Sequence, residues 1–157
     1  FSIRLPASCV VAAQVDEGAA PRTIAQAAPG CCRVLLVDDN QDAADTLALV
    51  LESHGHTTCV AYTGEDGIAQ ARTHGPQVVV LDIGLPDLTG YEVARALRAE
   101  PACRAALLLA VTGWGQDADR QRALDAGFDH HLTKPVDADR MQQLIVAHLA
   151  TRAATVV

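Results

Sequence analysis

The run Val78-Val79-Val80-Leu81-Asp82, followed by Ile83-Gly84-Leu85-Pro86-Asp87-Leu88-Thr89-Gly90, decides how this chain is read. Four apolar residues in a row that end on an acid predict a strand buried on both faces, since a half-exposed strand would alternate. Gly84 to Gly90, with Pro86 inside it, predicts a loop. Beyond it Val93, Ala94 and Leu97 share one face of a helix, and Pro101 lies past its end.

Working outward, the same alternation repeats. Towards the N-terminus, Gly64 to Arg72 predicts a helix with Ile68 and Ala71 inward, closed by His74-Gly75-Pro76, and Thr57 to Val60 predicts a strand. A helix with Ala43, Leu47, Val50 and Leu51 at helical spacing stops at Gly55 and is capped by Asn40 or Asp42. Before it, Arg33 to Val37 is a second continuous apolar run, ending on Asp38-Asp39. Towards the C-terminus, residues 106–111 (ALLLAV) predict a strand, and Gln116 to Asp125 a helix that ends at Gly127. A short strand near His130–Leu132 follows, then a helix presenting Met141, Leu144, Ile145, His148 and Leu149. Five strands alternating with five helices predict an α/β fold: a parallel sheet with right-handed crossovers and helices on both faces.

Composition agrees with one such core. Of 157 residues, 50% are hydrophobic and 3% aromatic, so Val, Leu, Ile and Ala must fill the interior. The net charge of −7 lies wholly beyond residue 31, because Arg4 and Arg22 balance Asp16 and Glu17. An acidic chain without a basic stripe is a poor match for a phosphate backbone, so no nucleic-acid partner is expected. The cysteines, Cys9, Cys31, Cys32, Cys59 and Cys103, are odd in number and lack C-x-x-C spacing, which argues against a disulfide framework or zinc and fits a reducing cytoplasm. No apolar run reaches membrane-spanning length, and no membrane contact or signal peptide is expected. Residues 7–31, rich in Ala and Pro, read as a linker.

Ligands of doubly wound sheets sit beyond the carboxyl ends of the strands. There the sequence keeps Asp38, Asp39, Asp82, Thr112 and Lys134. Three carboxylates at one rim repel one another unless a cation neutralises them, and Mg2+ suits a site of few carboxylates completed by water and phosphate oxygens. One carboxylate is then left to react: Asp82 as nucleophile, with Mg2+, Lys134 and the Thr112 hydroxyl holding a phosphoryl group. Lys134 is the only lysine against 11 arginines. A compact ammonium reaches a carboxylate or phosphoryl oxygen as a point charge, whereas a guanidinium wants a planar, bidentate partner.

The stretches VLLVDDN (34–40), VVLDIGLPDLTGYEVARALR (79–98) and AVTGWGQDADRQRALDAGFDHHLTKPVD (110–137) resemble a response-regulator receiver domain over residues 32–150. The resemblance implies a flavodoxin-like three-layer sandwich with strand order 2-1-3-4-5. It implies that Asp38, Asp39 and Asp82 serve Mg2+ with the Gly84 backbone carbonyl, that Asp82 accepts phosphate from a phosphohistidine, and that Thr112 and Lys134 bind the phosphoryl group. It further implies a cis bond before Pro135, signalling through helix four, strand five and helix five with Thr112 and His131 as switch residues, and Trp114 and Gly84 at positions that tune hydrolysis. His131 departs from the usual aromatic residue. The wording TGWGQ and ALDAGFDHHLTKPVD is similar to receivers fused to hybrid sensor histidine kinases, and FSIRLP (1–6) resembles the last strand of a kinase ATP-binding domain. Residues 151–157 are then a tail, and the parent kinase can be membrane-anchored. The resemblance also implies a histidine-kinase domain or a phosphotransfer protein as phosphodonor.

Three duller readings compete. Asp38, Asp39 and Asn40 could serve only to cap a helix, Asp87 and Thr89 could be plain loop residues, and His54, His56, His74, His130 and His148 show no ligand spacing. A Mg2+-dependent phosphatase with an aspartyl intermediate would use the same groups, but dehalogenase-like enzymes need a second acid where Gly84 stands. A non-phosphorylated interaction module would need none of them.

Overall fold

The apolar runs at 34–37, 78–81 and 107–111 form strands, and helices fall between the strands. The computed structural model describes residues 31–113 and 117–155. The elements are β1 (Arg33–Val37), α1 (Gln41–Ser53), β2 (Thr57–Ala61), α2 (Gly64–His74), β3 (Val78–Asp82), α3 (Gly90–Ala99), β4 (Leu107–Thr112), α4 (Asp117–Ala126), β5 (His130–Thr133) and α5 (Ala138–Thr155). The strands are all parallel, in the order β2-β1-β3-β4-β5, which is the doubly wound topology expected.

The period of two along each strand divides the core into two halves. Leu35, Val37, Val79, Leu81, Leu108 and Ala110 face α2, α3 and α4, where Ala71, Val93, Ala94, Leu97, Ala123 and Ala126 cover them. Their neighbours Val34, Leu36, Val78, Val80, Leu107, Leu109 and Val111 face α1 and α5, under Ala48, Leu51, Met141 and Ile145. Continuous apolar runs are thus buried on both sides, and each fully buried Val or Leu contributes roughly 1.5–3 kcal/mol relative to exposure. Small residues let the helices approach closely. At Gly67 of α2 an added Cβ would meet Val37 Cγ2 at 2.9 Å.

Several details differ from the sequence reading. α1 buries Ala44, Ala48 and Leu51, whereas Ala43 is exposed and Leu47 and Val50 are half-buried. The helix turns Ala44 and Ala48 onto the sheet together with Leu51, and Leu47 packs at the edge of that contact. Asn40 is its cap, accepting from the Ala43 amide, and Asp42 sits in the first turn. β4 runs one residue further than expected and includes Thr112. Residues 151–155, expected as tail, continue α5: no helix breaker intervenes, and Arg152 Nη1 donates to the Ala105 carbonyl at 3.2 Å. The kinase-like segment 1–6, the linker up to residue 30, Cys9, Gln116 and Trp114 lie outside the described residues. Among the described residues no helix is long and apolar enough to cross a membrane.

Candidate functional site

The sheet order brings the polar residues to one rim. Asp38 directly follows β1, and its amide extends the ladder by donating to the Ala61 carbonyl at 3.1 Å. Asp82 is the last residue of β3, Thr112 the last of β4, and Lys134 directly follows β5. Carboxylate oxygens of Asp38, Asp39 and Asp82 all lie within 4.8 Å of one another. All five residues that the sequence places at the strand ends therefore share one edge of the sheet, and the three acids form one cluster.

Asp82 is only 8% exposed, and burying a charge requires partners. It has two. Lys134 Nζ lies 2.8 Å from Asp82 Oδ2, and the Gly84 amide donates to Oδ1 at 2.9 Å. The same ammonium lies 2.9 Å from Asp38 Oδ2, and the Asn40 amide donates to Asp38 Oδ1 at 2.9 Å. Burial alone would lower the Lys134 pKa, but its hydrogen bonds to Asp82 and Asp38 and their negative charges outweigh this and raise it. Lys134 is therefore charged. Three carboxylates against one ammonium leave the cluster with two uncompensated negative charges. An all-oxygen donor set with that residual charge fits a hard divalent cation such as Mg2+.

The loop after β3 is held by residues that sequence reasoning set aside. The Gly90 amide donates to the Ile83 carbonyl at 3.1 Å, and a Cβ at Gly90 would stand 2.5 Å from the Asp82 carbonyl oxygen, so α3 starts hard against the Asp82 backbone. Thr89 and Glu92 form a reciprocal capping box at that start. Its T-x-x-E spacing was readable in the sequence. The Asp87 carboxylate accepts from the Gly64 and Glu65 amides at 2.9 Å each, capping α2, and those amides hold its pKa below the usual value. No local pattern announces a partner 23 residues away.

On the far side of the rim, the Lys134 amide donates to the Thr112 carbonyl at 2.8 Å, and the Lys134–Pro135 peptide is cis, as the resemblance implied. Thr112 Oγ1 lies 2.8 Å from His131 Nε2. A cavity of about 570 Å³ opens beside the cluster, lined by Asp38, Asp82 and Lys134 at its polar end and by Leu47, Val50 and Val136 elsewhere.

A doubly wound parallel sheet with an acidic cluster and a lysine at its carboxyl rim defines a class, and comparison places this chain within it. The chain belongs to the response regulator receiver domain family, whose model matches residues 34–146, and is thereby a receiver domain of two-component signalling. Among its relatives, the protein PilH of Pseudomonas aeruginosa is 37% identical over 118 residues, covering 75% of this chain and 98% of PilH. The cell cycle response regulator CtrA of Brucella ovis is 34% identical over 109 residues, covering 69% of this chain and 46% of CtrA. The receiver domain of a CheY-like response regulator from Methanospirillum hungatei superposes with a TM-score of 0.71 at 27% identity, covering 78% of this chain and 97% of that one. The chemotaxis protein CheY4 of Vibrio cholerae, at 23% identity and a TM-score of 0.70 over 73% of this chain and 96% of that one, shares the fold.

Proposed function

We propose that Asp82 accepts a phosphoryl group from a phosphohistidine, on a kinase domain or a phosphotransfer protein, and that this chain acts as a phosphorelay receiver. The observation that carries the reading is the charge balance at the rim: a buried Asp82 bonded to the one lysine, beside two further carboxylates. Asp38, Asp39, Asp82 and the Gly84 carbonyl would hold Mg2+, which neutralises their residual charge and that of the phosphoryl oxygens. An Asp82 oxygen attacks phosphorus; the new O–P bond forms as the P–N bond breaks, and the electron pair leaves with the donor imidazole. Lys134 then exchanges a carboxylate contact for a phosphoryl oxygen, and the Thr112 hydroxyl donates to another. The Asp82 side chain then carries about −2 in place of −1, and the readout runs through Thr112 and His131 to the face of α4, β5 and α5.

In this reading residues 32–150 are the receiver, 7–31 a linker and 1–6 the end of a kinase ATP-binding domain, which makes the parent a hybrid kinase working in the cytoplasm. The test is incubation with Mg2+ and acetyl phosphate followed by intact-mass and peptide mass spectrometry. One added phosphoryl group on Asp82, absent in Asp82→Asn and without Mg2+, is expected. Modification that persists in Asp82→Asn sinks the assignment.

A further inference from the structure

His131 stands on β5 in register with Ala110, and its Nε2 is 2.8 Å from Thr112 Oγ1 at the end of β4. A hydroxyl and an imidazole can share that bond in two directions. With a lone pair on Nε2, the Thr112 hydroxyl donates to the ring and spends its only proton there. With a proton on Nε2, the ring donates to Oγ1, and the hydroxyl proton is released towards another acceptor. The neutral ring permits both directions according to its tautomer; the imidazolium permits only the second.

A phosphoryl oxygen on Asp82 accepts hydrogen bonds, so Thr112 can hold it only in the second direction. We infer that His131 is a positioning residue for the phosphoryl group: its proton sets the direction of the Thr112 hydroxyl. Acid then favours the phosphorylated state, and phosphorylation favours the imidazolium by the same factor. The inference rests on Asp82 being the phosphoryl acceptor. The titratable and charged groups that line a cavity of about 260 Å³ together with His131 are Arg120 from α4, Asp129 just before β5, His130 on β5 and Arg140 from α5. His130 is the other imidazole there, so the measurement belongs in a His130→Gln background.

The experiment follows the His131 ring nitrogens by NMR in the full chain across pH, with and without Mg2+ and acetyl phosphate. Phosphorylation is expected to raise the proton affinity of His131 by at least about fivefold. Phosphoryl retention at about pH 5.5 relative to about pH 8 is expected to exceed that of His131→Gln by a similar factor. An unchanged His131 midpoint on phosphorylation, or the same pH profile in His131→Gln, overturns the inference. If Asp82 takes up no phosphoryl group, the functional reading is what fails, and the unphosphorylated protein still decides here. A His131 midpoint that moves in Thr112→Val supports the coupling; one that stays in place overturns it.

Discussion

Replacing Asp39 by Asn should stabilise the metal-free protein, although most substitutions destabilise. Asp39 shares a cluster whose carboxylate oxygens lie within 4.8 Å of one another, yet the ion pairs of Lys134 run to Asp38 and Asp82, at 2.9 and 2.8 Å. Each like-charge contact at this range repels by about 1 kcal/mol in water and by about 4 kcal/mol at an effective dielectric near 20. Asp39 is exposed, so the lower figure applies. Two such contacts give about 2 kcal/mol, and the pull of Lys134 offsets part of it, leaving on the order of 1 kcal/mol to be released by the substitution. In a domain of this size that raises Tm by roughly 3–5 °C.

Excess Mg2+ should reverse the order. A cation at 100 times its Kd stabilises by about 2.7 kcal/mol, and a variant short of one anionic ligand gains less. Calorimetric melts of wild type and Asp39→Asn, in chelator and in Mg2+, give all four values. The reasoning is refuted if the variant melts below the wild type in chelator, or if both proteins gain equally from the metal.

Other perturbations follow from the same geometry. Gly90→Ala would drive a Cβ to 2.5 Å from the Asp82 carbonyl oxygen and 2.7 Å from Ile83 Cα; since both are backbone, a loss of about 2–3 kcal/mol in urea unfolding is expected, along with slower phosphorylation. His56 is 4% exposed; its Nδ1 accepts from the Cys32 amide at 3.3 Å, which leaves Nε2–H to donate to Gln142 Oε1 at 2.8 Å. His56→Leu strands both groups and should cost about 2 kcal/mol, with faster hydrogen exchange at the start of β1. The Asp87 pKa is lowered by the amides of α2, so its contribution is present above the unfolded value of 3.8 and is lost as pH falls through the folded one. The stability gap between wild type and Asp87→Asn should therefore be constant near neutrality and close below about pH 4, measured by denaturant titration; a gap that widens in acid would contradict the assignment.

What the sequence could disclose depended on how local each signal was. Strands buried on both faces announce themselves as unbroken apolar runs, so VVVLD and RVLLV were legible, and with them the acids that end them. The orientation of α1 was legible only in part, since Leu51 is buried as its spacing predicts but Ala43 is exposed. A pattern of Ala43, Leu47, Val50 and Leu51 maximises apolar size, whereas the helix seats Ala44 and Ala48 beside Leu51, because small residues permit close approach. Lys134 stood out because it breaks the chain's preference for arginine. Asp87 and His56 did not, since their partners lie 23 and 24 residues away along the chain and are met only after folding. Long-range caps of this kind leave no periodicity to read.

The lysine also explains why the rim works as a unit. In the order β2-β1-β3-β4-β5, β5 is two strands from β3 and three from β1, roughly 10 and 14 Å at a ladder spacing of about 4.8 Å. Neighbouring strands alone would leave the basic residue of β5 apart from the acids of β1 and β3. The bond from the Lys134 amide to the Thr112 carbonyl ties the chain to the end of β4, and the four-carbon stem spans what remains. Its ammonium then sits between Asp38 and Asp82 as a single charge shared by two carboxylates. A planar guanidinium would satisfy one carboxylate through two parallel bonds and leave the other. A chain that uses arginine at its other basic positions has lysine where a charge is divided between carboxylates at the ends of different strands.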